Sequence, residues 1–329
     1  MDGFPRSVTM FAHGHTDASL LDGARTFEHT LKSSIDCVGI GLHSGARVAM
    51  TLRPAPAGHG IVFRRHDLGI DIPARFDLVA DTKLCTVLAH PAIAAARIGT
   101  VEHVMAALAA TGVSNAIIEV DGPEIPILDG SAANLVFLID CAGIVAQDAA
   151  VTAIAVTRTV RVDGPDGAWA ELAPPSADRP FLDAHVTIDF DAQAIGAQAL
   201  VLHVTPAAVR RELASARTFC LLAEVEAMQA AGLARGGSLD NAVVVDGARV
   251  LNPGGLRMDG ECVRHKLLDI VGDIALAGAV IHARLRAHRP GHGLNNALLR
   301  RLFANAGNWR QVDGAVPFVA AAAPRAAHG

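Results

Sequence analysis

The sequence predicts an α+β protein of two similar domains, each a sheet packed with helices. Its 329 residues are 51% hydrophobic, which is ample for about two domain cores. Each half contains several short strand patterns followed by a long helix, which favours sheets covered by helices over a strict βαβ alternation. Neither GxGxxG nor a P-loop is present, so a doubly wound nucleotide-binding fold is not expected.

The first half predicts strands followed by helices. TFEHTLKSSIDCVGIGLHSGARVAMTLRPA reads as strand, turn and strand, and GIVFRR and DIPARF add short strands. In RIGTVEHVMAALAATGV, Thr100 is a predicted helix N-cap and Gly112 a predicted helix end. NAIIEVDG predicts a strand, and GSAANLVFLIDCAGI predicts a helix that ends at Gly143.

The order of strands followed by helices begins again near DAAVTAIAV, where the second half starts. TRTVRVDGPDGAWAEL and NAVVVDGARVL predict hairpins, and FLDAHVTIDF alternates like a half-buried strand. PAAVRRELASARTF, LLAEVEAMQAAGL and VRHKLLDIVGDIALAG predict helices, the last ending at Gly278. A final helix is predicted from near Leu294 towards Trp309.

These patterns predict the boundaries of the domains. We expect a disordered N-terminal extension at 1–25, domains at 26–147 and 148–312, and a low-complexity C-terminal tail at 313–329.

Composition narrows the class of protein. A net charge of −5 predicts no general attraction to nucleic acid. The sequence has no apolar run long enough for a transmembrane segment and no secretory h-region at its start. Five scattered cysteines without CxxC predict reduced thiols in a cytoplasmic protein. No interface signal stands out, so a monomer is expected.

Three acid–base groups recur at steps of four in VRHKLLDIVGDIALAG: His265, Asp269 and Asp273. On a helix they lie on one side, within an arc of roughly 80°. The rest of the stretch is largely apolar, and burying charge without a partner is costly. His265 and Asp269 can bind one metal ion together, although a histidine and an aspartate at this spacing also form ordinary pairs.

Two further groups invite both a functional and a structural interpretation. In TVEH, His103 can bind a metal while Glu102 leans towards a water on it, or the two can be a core histidine and a charge at a helix N-terminus. In RPGHGLNN, glycines flank His292 on a predicted loop. Such a histidine is either presented to a site or simply solvated.

Six motifs in this order resemble one family: TVEHVMAAL, PEIPILDGSA, SARTF, GGSLDNAVVVD, VRHKLLDIVGDIALAG and GHGLNNALL. They are similar to the motifs of UDP-3-O-acyl-N-acetylglucosamine deacetylase, the zinc amidase of the committed step of lipid A biosynthesis. The resemblance covers about 26–310. It implies an active site at the domain interface, a small insert in each domain, and a cytoplasmic enzyme acting on a UDP-linked acylated amino sugar.

The resemblance also implies roles for the residues. Zn²⁺ would be held by His103, His265 and Asp269, a ligand set that also accepts Fe²⁺. Glu102 would be the general base and His292 the general acid, with Asp273 keeping that histidine charged. Thr218 would offer its hydroxyl to the developing oxyanion.

The family's substrate needs an apolar channel for its 3-hydroxyacyl chain, which maps to an insert at about 219–244. Its predicted lining is Phe219, Leu221, Val225, Ala234, Leu239 and Ala242, although these side chains also suit an ordinary core. Lys266 is the predicted contact to the diphosphate or the sugar. Asp189 and Phe190 correspond to the place of the nucleotide base.

Some positions depart from the family pattern. Ala168 stands where relatives often carry a basic residue before Trp169, so a phosphate contact is either missing or supplied by Arg158 or Arg161. Leu239 replaces a common aromatic, which leaves the acyl length open. Two other functions remain: a related zinc amidase acting on a different acylated amino sugar, and a non-catalytic metal-binding protein.

Overall fold

The computed structural model describes residues 8–11, 27–176 and 181–314. Strand β1 (Val8–Phe11) belongs to the predicted N-terminal extension, and the remainder of 1–25 lies outside the described residues. The same is true of the predicted tail after residue 314. No helix among the described residues is long and apolar enough to cross a membrane.

The main sheet of the first half has five strands, and smaller sheets lie beside it. The strands of this half are β2 (Phe27–Leu31), β3 (Ile35–Ile40), β4 (Arg47–Pro54), β5 (Ile61–Arg65), β6 (Ile70–Pro73), β7 (Val79–Asp81), β8 (Val87–Ala89), β9 (Arg97–Ile98), β10 (Ala116–Val120) and β11 (Ile144–Ala150). The sheet order is β3-β4-β10-β5-β6, with β10 antiparallel to β4 and parallel to β5. β2 pairs with β11, and β7, β8 and β9 form a small inserted sheet.

Alternating side chains fix which face of this sheet is buried. Along β4, Val48, Met50 and Leu52 are buried, and the residues between them are not. This period of two orients one apolar face towards the helices. Helices α1 (Glu102–Thr111) and α2 (Ala133–Ala142) belong to this half and pack against each other.

The second half contains an eight-stranded sheet that includes β1. Its other strands are β12 (Thr152–Val156), β13 (Val160–Asp163), β14 (Trp169–Ala173), β15 (Leu182–Asp189), β16 (Ala197–Val204), β20 (Val280–His288) and β21 (Trp309–Asp313). The path runs β1-β16-β15-β20-β12-β21, and the hairpin β13–β14 joins along β20. The fold is therefore mixed α+β with two main sheets, as the sequence predicts.

A second insert lies on this half. It comprises β17 (Phe219–Leu221), β18 (Val243–Asp246) and β19 (Arg249–Val250) with helix α4 (Leu222–Ala230), after the single-turn helix α3 (Pro206–Ala208). Helices α5 (Glu261–Ala275) and α6 (His292–Phe303) complete the half.

Helices α1 and α5 bring the two halves together. A Cβ placed on Gly272 of α5 would lie 2.0 Å from the carbonyl oxygen of Glu102 on α1, so only glycine permits this approach. Both helices are buried around most of their circumference, and α5 also packs against β15 and β16. The residues at the start of α1 therefore face the middle of α5.

Three local predictions were wrong. Thr100 does not cap α1: its φ is 59° and its hydroxyl donates to Glu124 at 3.3 Å, leaving Val101 as the N-cap residue. The predicted helix through SARTF ends at Leu213 in a π-helical turn. It does not continue because the N–H groups of Arg217 and Thr218 donate to Glu261 and Gly130 in other segments. The last helix begins at His292, close to the predicted start near Leu294, but it ends at Phe303, and Trp309 lies in β21; His292 is thus the first residue of a helix and not part of the predicted loop.

Candidate active site

Three buried side chains from the two helices converge on one point. His103 comes from α1, and His265 and Asp269 come from α5. One ligand atom from each lies within 4.8 Å of the others. Oδ1 of Asp269 is 3.2 Å from Nε2 of His265 and 3.8 Å from Nε2 of His103. The close contact at Gly272 sets this separation, because it fixes the distance between the helices.

The hydrogen bonds around the trio leave two acceptor atoms facing each other. Nδ1 of His265 donates to the carbonyl of Ala216 at 3.0 Å, so in the neutral ring Nε2 carries a bare lone pair. Oδ1 of Asp269 is buried without a hydrogen-bond partner among the described residues. Two facing acceptors repel unless a cation lies between them. Two imidazoles and one carboxylate suit a divalent ion of the zinc type.

The electrostatics of the trio agree with this assignment. Burial, reinforced by His265, lowers the pKa of His103 to about 3, so its ring is neutral near pH 7. Burial opposes ionisation of Asp269, but attraction to His265 and Lys266 holds the pKa of this carboxyl well below its usual range. Neutral imidazoles and an ionised carboxylate are the forms that bind metals.

Glu102 lies directly beside the trio and is itself almost fully buried. Its Oε2 accepts the backbone N–H of Thr86 at 3.0 Å, which leaves Oε1 turned towards His292 at 3.9 Å. Burial raises the pKa of Glu102 to about 7, an effect that His292 opposes and Asp273 reinforces. A carboxyl with a pKa near neutrality is suited to exchanging protons.

His292 is held from behind by a carboxylate. Its Nδ1 bonds Oδ2 of Asp273 at 2.8 Å, and Asn295 donates to the same oxygen at 2.8 Å. Thr86 donates its hydroxyl to the other oxygen at 2.5 Å. Burial lowers the pKa of His292, but Asp273 and Glu102 raise it to about 10, so the ring is charged at pH 7. Asp273 thus orients the histidine and keeps Nε2–H available.

A cavity of about 960 Å³ is lined by His292 and by Lys266, the neighbour of His265 in the chain. The predicted site residues on its wall are Thr218, Phe219, Val225, Ala234, Leu239, Ala242, Lys266 and His292. Nζ of Lys266 lies 3.5 Å from Asp269 and 5.4 Å from the Phe219 ring centre. The cavity therefore combines a charged end, at Lys266 and His292, with an apolar groove along the second insert.

Two backbone hydrogen bonds fix the position of Thr218. Its N–H donates to the carbonyl of Gly130 at 2.8 Å, and its carbonyl accepts the N–H of Val243 at 2.8 Å. Gly130 has a φ of 79°, and a Cβ there would lie 1.8 Å from the Asn241 carbonyl oxygen. The glycine of PEIPILDGSA is thus required for the position of Thr218.

Three predicted substrate residues lie off the wall of this cavity. Leu221 packs against the core, and its neighbour Leu222 lines the cavity instead. Phe190 contacts the edge of the Phe219 ring at 5.4 Å between centroids. Asp189 pairs with Arg289 at 2.9 Å.

Some residues on or behind the cavity wall were not singled out from the sequence. Arg289 lines the cavity near Ala168, in the left-handed region with a φ of 48°, and also donates to the carbonyl of Asp166 at 3.1 Å. Arg161, by contrast, was one of the two arginines expected to replace a phosphate contact; it lies over the Trp169 ring at 4.2 Å, and neither it nor Arg158 lines this cavity. Thr86 donates hydrogen bonds to the carboxylates of both Glu102 and Asp273, and only its place in LCTVL, within an otherwise apolar run, could have drawn attention to it.

Comparisons with known proteins agree with one another. The sequence model of one family, described as "UDP-3-O-acyl N-acetylglycosamine deacetylase", matches residues 28–304. A UDP-3-O-acyl-N-acetylglucosamine deacetylase of Anaeromyxobacter sp. (strain Fw109-5) is 48% identical over 285 residues, covering 87% of this chain and 91% of the relative. The deacetylase of Pasteurella multocida (strain Pm70) is 47% identical over 289 residues, covering 87% and 92%.

Proposed function

The chain belongs to the UDP-3-O-acyl N-acetylglycosamine deacetylase family, and we propose that it hydrolyses the acetamide of a UDP-3-O-(3-hydroxyacyl)-N-acetylglucosamine. The products are acetate and the free amine, in the committed step of lipid A biosynthesis. The observation that carries this function is the convergence of a three-residue metal site, a buried carboxyl and a charged histidine, and this histidine lines a cavity that continues as an apolar groove.

His103, His265 and Asp269 would hold one Zn²⁺, and the same ligands accept Fe²⁺. When bound, the ion polarises the amide carbonyl and lowers the pKa of water at the site to about 7. The unpartnered Oδ1 of Asp269 and the bare Nε2 of His265 support this assignment.

Glu102 acts as the general base through Oε1, because the Thr86 amide fixes Oε2. It takes a proton from the attacking water. Burial keeps this carboxyl from solvent, so the proton stays within the site.

His292 acts as the general acid. An amine leaves poorly as an anion, so the nitrogen must gain a proton as the C–N bond breaks. The charged ring, held at Nδ1 by Asp273, presents Nε2–H for that transfer. Thr218 would donate its hydroxyl to the oxyanion, since it lies on the same cavity wall.

The cavity accommodates the remaining parts of the substrate. The groove along the second insert would take the acyl chain, with Phe219, Val225 and Leu239 as contacts. Lys266 and Arg289 supply positive charge for the diphosphate, and Arg289 compensates for Ala168. Phe190 and Asp189 adjoin this end, where the base would lie. We further propose a cytoplasmic monomer.

The test is acetate release from three N-acetylated amino sugars by metal-loaded protein. They are the UDP-linked 3-hydroxyacyl substrate, the same sugar without UDP, and UDP-N-acetylglucosamine without the acyl chain. We expect the first to give the highest kcat/KM. Preference for the sugar without UDP would favour a related amidase instead. Metal binding without acetate release from any of the three would favour a non-catalytic protein.

A further inference from the structure

His43 is a histidine in the active-site cavity that has no role in the chemistry described above. It lies in the turn between β3 and β4 and contributes to the cavity wall. Both of its ring nitrogens are buried, and neither has a hydrogen-bond partner among the described residues. Buried polar atoms are nearly always paired, so two unpaired nitrogens on a binding cavity indicate a ligand group.

The backbone around His43 is firmly held. The N–H groups of His43 and Ser44 donate to the two oxygens of Glu124, at 2.8 and 3.0 Å. The carbonyl of His43 accepts the N–H of Arg235 at 3.3 Å, which ties the turn to the second insert. Glu124 also accepts from Thr100, two residues before the general base. These bonds connect the turn both to the segment that precedes α1 and to the second insert.

The ring is suited to an uncharged partner. Burial lowers the pKa of His43 more than Glu124 raises it, so the imidazole is neutral and offers one donor and one acceptor. A neutral ring does not compete with Lys266 and Arg289 for phosphate. His43 is also outside the metal-binding trio. A hydroxyl group, which both donates and accepts, complements either nitrogen.

The 3-O-acyl group of the proposed substrate is attached beside the reacting acetamide and must run from there into the groove. Apart from the ester, its only polar group is the 3-hydroxyl, close to the start of the chain. Apolar neighbours of His43 on the wall, Leu42 and Ala234, provide no hydrogen bond for that group. We propose that His43 binds the 3-hydroxyl of the acyl chain and makes the enzyme selective for 3-hydroxyacyl substrates. This inference rests on the proposed function.

The experiment compares two substrates of equal chain length, one with the 3-hydroxyl and one without it. Wild type should prefer the hydroxylated substrate by about tenfold to a hundredfold in kcat/KM. The substrate that lacks the hydroxyl would leave the buried imidazole of His43 without a hydrogen-bond partner. His43→Leu should bring this ratio close to one by slowing the hydroxylated substrate alone. Leu239→Ala is the matched control: it removes a groove contact shared by both chains, so both should weaken and the ratio should persist.

Each outcome bears on the inference. A wild-type ratio near one, or an unchanged ratio in His43→Leu, overturns it. If His43→Leu does not fold, His43→Ala is measured against the same criteria. Equilibrium binding of the two deacetylated products is measured in parallel, and the same ratios are expected. If the enzyme turns over both substrates and His43→Leu leaves their ratio unchanged, this inference alone is refuted. If wild type shows no turnover of the substrates and no binding of the products, the proposed function is refuted as well.

Discussion

Gly272→Ala tests whether the α1–α5 contact sets the geometry of the active site. The added Cβ would lie 2.0 Å from the Glu102 carbonyl oxygen, 2.8 Å from its carbon and 3.0 Å from its Cα. All three atoms are backbone, so no side-chain rotation relieves the clash. Restoring a contact of 3.4 Å requires the helices to separate by about 1.4 Å at this point.

That separation would act directly on the metal ligands. His103 follows Glu102 on α1, while His265 and Asp269 lie on α5, so a shift of this size would widen the 3.8 Å distance between His103 and Asp269. Metal–ligand distances tolerate about 0.2 Å. A displacement of about 1 Å near reacting groups can cost about 100-fold in rate. We therefore expect weaker metal binding and a kcat about 100-fold lower.

The assay combines acetate release at saturating Zn²⁺, Zn²⁺ affinity from competition with a chelator, and thermal unfolding. Overpacking should lower the free energy of unfolding by about 1–3 kcal/mol, although alanine is intrinsically the better helix former. Gly254→Ala is the control, since a Cβ there has nothing within 4 Å. Activity and Zn²⁺ affinity of Gly272→Ala within twofold of wild type would refute the reasoning.

Three further changes probe individual roles. Asp273→Asn removes a charge that raises the pKa of His292 to about 10, so the alkaline limb of the kcat/KM profile should move down towards pH 6.5; an unmoved limb would exclude His292 as the acid. Glu102→Gln should lower kcat by about 10²–10⁴-fold while metal analysis still finds one equivalent of Zn²⁺. His265→Ala should lower the Zn²⁺ affinity, measured by equilibrium dialysis, by more than the roughly 10–100-fold typical of changing a residue that hydrogen-bonds to a ligand. An unchanged Zn²⁺ affinity would contradict the assignment of His265 as a ligand.

Helical periodicity explains why much of the site could be predicted from sequence. His265, Asp269 and Asp273 lie four residues apart on one helix, so their common side follows from the period alone. The predicted ends of α1 at Gly112 and of α2 at Gly143 were confirmed. Both glycines have a positive φ, a local preference that ends a helix and can be predicted without knowing the rest of the fold.

Contacts between distant segments could not be predicted in this way. Thr86 lies 187 residues from Asp273 along the chain, and nothing local to either residue indicates their hydrogen bond. Thr100 has the chemistry of an N-cap, but the buried carboxylate of Glu124 takes its hydroxyl. His43 and Arg289 likewise owe their positions on the cavity wall to tertiary packing.

The most direct test of the central claim is acetate release from UDP-3-O-(3-hydroxyacyl)-N-acetylglucosamine as metal-stripped protein is titrated with Zn²⁺. We predict that the activity of the wild type rises in proportion to added Zn²⁺ and reaches a plateau at one equivalent. The activity of Glu102→Ala should be at least about 100-fold lower at every Zn²⁺ concentration. Full activity in the metal-stripped protein, or equal activity in Glu102→Ala, would contradict the assignment of this site as a metal-dependent deacetylase centre.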